Sequence, residues 1–295
     1  LKIMKITRRD FLKTTALTSL YFAGFGGTTF ANAGTKKNLV IIMLRGGMDG
    51  LCAIPVKGDK NFEKLRSKIN LDRTLKLTSD FDLHPALKTF KNLWDENLSA
   101  AVHATNIPYT GRSHFDGQNL MESGGKIPYQ EKTGWLGRGM KTAGLTGQGL
   151  ALALPMPLLI RGVPMNNNYF PVGRSLPYPA TLELIKQAYK EHDEKLLSEN
   201  LEIILNRDFN NRSRDDAWIL ASSAGAELSK PDGPKVAVFE VDGFDTHAAQ
   251  GATDGAHADC LSDYDNIVRS LKSSMSEEAF NNTLVLTLTE FGRTI

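Results

Sequence analysis

Residues 38–44 read NLVIIML, a continuous apolar run rich in β-branched side chains. Such a run suits a strand buried on both faces, the habit of a parallel sheet covered by helices on each side. Residues 235–241 (KVAVFEV), 283–289 (TLVLTLT) and 98–104 (LSAAVHA) read as further strands. Between these runs lie helical stretches at 62–69, 85–94, 113–122, 180–205, 215–228 and 257–275. In 180–205 and 215–228 the apolar positions recur at three and four, and 257–275 is amphipathic. Residues 149–161 hold short apolar runs broken by Pro155 and Pro157, and 164–179 read as an irregular surface segment. Strands alternating with helices predict a doubly wound α/β fold with a mostly parallel sheet, in preference to α+β.

The N-terminus carries an address. Thr7-Arg8-Arg9-Asp10-Phe11-Leu12-Lys13 precedes a weakly apolar run over 14–25, and the small-residue site Ala31-Asn32-Ala33 follows. Order and spacing match a twin-arginine export signal. The expected organisation is a signal peptide over 1–33 and one domain over 34–295. The apolar run is too short and too rich in Thr and Gly to span a bilayer stably, so no stable span is expected after cleavage. The implied partner is the twin-arginine translocase, and the implied location is the periplasm or the exterior. That route carries folded proteins, often with a metal or cofactor already loaded.

Charge and thiols narrow the classes further. The segment 1–33 has five basic residues and one acidic, a net +4, while the whole chain is +2. The remainder is therefore −2, and the basic pI belongs to the leader. Nothing in it points to nucleic acid. Cys52 and Cys260 are the only cysteines. They are readable as a disulfide in an oxidising compartment or as buried thiols.

Polar clusters follow the strand-like runs. They are Asp49; His103 through Ser113, His114 and Asp116; Asp242, Asp245 and His247; and Glu290 with Arg293. In open parallel sheets, ligands bind outside the carboxyl ends of the strands, so distant loops converge there. Asp49, Asp245, His247 and Glu290 form an oxygen–nitrogen donor set suited to Zn²⁺, Mn²⁺ or Fe. Ser113 has two readings: a helix N-cap, with Asp116 at the third helical position, or a nucleophile at a helix N-terminus. Arg112 and His114 flank it and are candidates for binding an oxyanion. Arg45 and Arg293 are further anion candidates, while His84 before Pro85 reads as structural and His192 as solvent-exposed.

Seven ordered blocks carry a resemblance. They are LVIIMLRGGMDGL (39–51), LHPAL (83–87), VHATN (102–106), GRSHFDGQNLMESG (111–124), TGWLGR (133–138), VDGFDTHAAQ (241–250) and LTEFGRT (288–294), behind the leader RRDFLK (8–13). Together they resemble the bacterial domain of unknown function 1501 family, which looks like a member of the alkaline-phosphatase-like superfamily. The resemblance implies a doubly wound fold with about two divalent metal ions at the strand ends. It implies Asp49, Asp245, His247 and Glu290 as ligands and Ser113 as nucleophile. The family usually has a further Asp-His-Gly motif beyond this point, so the chain to Ile295 reads as a C-terminally incomplete domain. The implied activity is metal-dependent hydrolysis of a small anionic ester, phosphate or sulfate. The alternative is a non-catalytic envelope or secreted binding protein on the same fold.

Overall fold

The computed structural model describes residues 37–69, 71–152, 156–164, 166–168, 179–191, 201 and 217–294. The expected signal peptide, His192 and parts of the expected helices over 180–205 and 215–228 lie outside these residues.

In chain order the described elements are β1 (Asn38–Leu44), α1 (Gly50–Ala53), α2 (Lys60–Leu65), β2 (Leu75–Lys76), β3 (Asp82–Leu83) and α3 (Lys88–Asp95). Then follow α4 (His114–Ser123), α5 (Trp135–Thr142), β4 (Gly149–Leu152), a 3₁₀ turn at Leu158–Ile160, β5 (Asn167–Asn168) and α6 (Pro179–Glu191). The last are α7 (Ala217–Leu228), β6 (Val236–Val241), α8 (Ala256–Ser274), α9 (Glu277–Asn281) and β7 (Thr283–Thr289).

One sheet runs β5-β4-β6-β1-β7, and every neighbouring pair in it is parallel. β2 and β3 form a separate antiparallel pair. The long apolar runs earn their central places by two-sided burial. In β1, Val40, Ile42 and Leu44 face one core with Phe239, Leu220 and Ala224 of α7, and Leu261 and Ile267 of α8. Ile41 and Met43 face the other core, with Met121 of α4 and Leu136 and Met140 of α5. The period-two alternation thus feeds both layers. Each such side chain contributes about 1.5–3 kcal/mol relative to exposure.

Two expectations change, and the cysteines take the thiol reading. Residues 98–104 form no strand. Both edges of β1 are taken by β6 and β7, and Leu98 and Val102 lie exposed rather than packed on a sheet face. His103 stacks on Phe81 at 4.6 Å, away from the strand ends. The segment expected to be irregular over 164–179 contributes the two-residue β5. Cys52 and Cys260 are both free thiols. Among the described residues, no helix is long and apolar enough to cross a membrane.

Candidate functional site

The loops leaving β1, β6 and β7 meet at one edge of the sheet. Leu44, Val241 and Thr289 end those strands, and Leu44 is in register with both of the others. The next residues therefore emerge side by side. Gly46 makes the close approach possible: its φ is +112° and a Cβ there would lie 2.3 Å from the amide nitrogen of Asp245. Gly46→Ala is expected to cost about 1–3 kcal/mol from the backbone conformation alone, with the clash against the β6 loop added. Urea denaturation measures it; a change below a few tenths would show that the loops are not tightly apposed.

A cleft of about 930 Å³ opens there. Its wall includes four cationic side chains, Arg66, Lys68, Arg112 and Arg293, against the two carboxylates Asp49 and Asp245. His114 and His247 also line it. The cleft is thus biased toward anions.

Two polar assemblies build its floor. In the first, Asp49 is almost fully buried, and its Oδ2 accepts from Arg66 Nη1 (2.5 Å), Gln250 Nε2 (2.8 Å) and the Cys52 thiol (3.1 Å). Burial works against the carboxylate charge, but these three donors outweigh it and hold Asp49 below the usual aspartate value. Burial, with Asp49 beside it, pushes the Cys52 thiol up to about 12, so it stays a neutral donor.

The second assembly centres on His114, the first residue of α4. Its Nδ1 lies 2.9 Å from Glu290 Oε1 and its Nε2 lies 3.1 Å from Asp245. Carboxylates only accept, so a ring that satisfies both carries a proton on each nitrogen. Glu290 is fully buried, and its Oε1 also accepts from the Gly46 amide (2.8 Å) and Gln118 (3.1 Å). Desolvation opposes its charge, yet these bonds hold it below the usual glutamate value. Asp245 likewise sits low despite some desolvation, with Arg293 at 3.1 Å and His247 at 2.8 Å. His247 is largely exposed and adopts a φ of +42°.

Of the expected site residues, Asp49, Arg112, His114, Asp245 and His247 line the cleft, and Glu290 lies behind His114. Ser113 caps α4: its Oγ accepts from the Asp116 amide at 3.3 Å. Arg45 is not free for an anion, because Glu240, Glu122 and Gln118 consume its guanidinium. His84 is structural as read, with Nε2 2.9 Å from the Ala252 carbonyl. Arg66, Gln250 and His257 were not among the candidates. Only Gln250 carried a visible signal, as the last residue of the block VDGFDTHAAQ.

The expected metal set does not assemble as one group. Asp49 faces Arg66 while Asp245 faces Arg293, and among the described residues no three His, Cys, Asp or Glu side chains are arranged to hold a metal ion. A shared divalent ion would require both guanidinium groups to leave, so the arrangement as it stands does not fit one.

Residues 220–295 match the model of a family described as protein of unknown function (DUF1501). Over these residues the chain is similar to that family. The match covers β6, α8 and β7 and both loops that carry Asp245, His247, Glu290 and Arg293. Comparison with curated proteins and with solved structures finds no match.

Proposed function

We propose that this chain, similar to the DUF1501 family over residues 220–295, is an exported hydrolase of small phosphate or sulfate esters on an alkaline-phosphatase-like fold. One observation carries the reading: an imidazole held between the buried Glu290 and Asp245 faces a cleft lined by four cations. Arg112, Arg293 and Lys68 would hold the ester oxyanion. His114, oriented by Glu290, would move a proton at the ester oxygen. Ser113 is the proposed nucleophile, and it must first release the Asp116 amide to turn toward the cleft. The likeness of residues 7–33 to a twin-arginine signal supports export.

The test is turnover of aryl phosphate and aryl sulfate by the full-length protein, with His114→Ala and Ser113→Ala beside it. Loss of the imidazole is expected to lower kcat/KM by about 10²–10⁴-fold. Unchanged turnover in both variants, or no turnover in the parent, ends the hydrolase reading.

A non-catalytic binding protein is the second reading, and the capped hydroxyl of Ser113 is the observation that favours it. It expects the intact protein to bind phosphate or sulfate without turning over any ester.

A further inference from the structure

Buried polar atoms without partners are few in folded proteins, and a cluster of them marks a place where a group belongs. Nine such side-chain atoms occur among the described residues. Four are single acceptor oxygens on Asn38, Asp82, Gln148 and Asn166. The other five are Arg66 Nε and Nη2, Thr246 Oγ1 and both ring nitrogens of His257. Every orphaned atom able to donate a proton therefore belongs to these three residues.

Arg66 is the one of the three that lines the cleft; the other two connect to its lining residues through the chain. Thr246 lies between the lining residues Asp245 and His247. The amide of His257 donates to the carbonyl of Gln250, whose side chain holds Asp49. His257 also packs its ring on Phe244 at 5.7 Å, at the root of the β6 loop.

The Arg66 guanidinium is bound on one side only. Nη1 is fixed to Asp49, and the side chain is 5% exposed. Nε and Nη2 form the other edge of the planar group, two parallel N–H donors with the spacing of a bidentate oxyanion contact. Asp49 neutralises the charge and holds the plane still, so little side-chain entropy remains to be lost on binding. Arg66 Nε and Nη2 can only donate, and a pair of unpartnered guanidinium donors calls for an anion rather than a cation.

We infer that the Nε–Nη2 edge of Arg66 is the binding site for one tetrahedral oxyanion group, a phosphate or a sulfate. It deepens the ester reading by adding Arg66 to the cations that hold the oxyanion, and it rests on that reading only for the identity of the ester. Arg66 thereby does two jobs. It balances Asp49 from one edge and presents the other to the ligand.

Isothermal titration of the full-length protein with inorganic phosphate, and separately with sulfate, tests it. Arg66→Lys keeps the charge beside Asp49 and removes the fork. Charge-assisted hydrogen bonds of this kind predict phosphate binding weaker by roughly 10- to 100-fold. In parent protein labelled with ¹⁵N-arginine, one protected Nε–H resonance is expected to shift on phosphate addition, which needs no variant to fold. Equal affinity in Arg66→Lys, no Nε–H shift, or no binding of either anion would overturn the inference, leaving bound water as the partner of the fork. Anion binding lost in Arg66→Lys without ester turnover in the parent upholds the fork and fails the hydrolase. Turnover that survives with Arg66→Lys binding phosphate normally does the reverse.

Discussion

Asp49→Ala is expected to destabilise the protein by about 3–5 kcal/mol, the cost of leaving one member of a buried ion pair uncompensated. Arg66 would keep its charge in a site that is 6% exposed, with Nε and Nη2 already without partners. Gln250 and Cys52 would lose their acceptor as well. Arg66→Met on top of Asp49→Ala removes the stranded charge and returns part of the loss, since an apolar replacement of both members is far milder than removal of one. Denaturant midpoints of the two single variants and the double variant, at constant slope, give the coupling. A cost below about 1 kcal/mol for Asp49→Ala would mean that the pair is not desolvated. The large value matters for function, because it makes the Asp49–Arg66 pair a structural prerequisite of the cleft floor.

Stability is expected to fall by about 3 kcal/mol between pH 7 and pH 4, with His257 as the main cause. Burial pushes its pKa from 6.5 down to about 4; Asp49 pulls the other way, while His84, Arg293 and Arg66 add to the depression. The folded state therefore keeps the ring neutral, and the unfolded chain takes up a proton below about 6.5. Protons then favour unfolding, so stability begins to drop as pH falls through about 6.5 and levels off below about 4. His84, also lowered by burial, acts with the same sign. Asp49 and Glu290 act at lower pH. Their depressed values give stability that is present above the ordinary carboxylate range and lost as pH falls through their folded values. His257→Leu is expected to remove most of the slope between pH 6.5 and 4. Guanidinium midpoints at pH 7, 5.5 and 4 measure it, and an unaltered slope in the variant would place the proton uptake elsewhere.

β1 and β6 were legible because each is almost wholly apolar and buried on both faces, a pattern few other environments tolerate, while β7 was legible from its alternation of Thr with Leu and Val. Asp49, Asp245 and His247 were legible by position, since parallel strands deliver the residues after them to one edge, whereas His114 reaches that edge from the start of α4 with no strand before it. Residues 98–104 misled for a related reason. Their composition suits a strand, but a strand exists only where a neighbour offers its edge, and β1 has both edges occupied. The cap at Ser113 was one of two readings of the same residue, and the Asp116 amide takes its hydroxyl here.

By itself the sequence determined the α/β layering, the sheet edge at which the polar loops meet, and the likeness to the DUF1501 family over residues 220–295, which include both loops of the site. Tertiary structure alone decided which charges face which. Arg66 follows α2, a short helix with no buried residue of its own, so nothing local marks its side chain as buried. Only the return of that segment over the β1 loop sets its guanidinium on Asp49, just as the register of β1 with β7 sets Glu290 behind His114. Periodicity reports the environment of a residue's own element. Pairing between loops depends on distances that exist only once the sheet has closed.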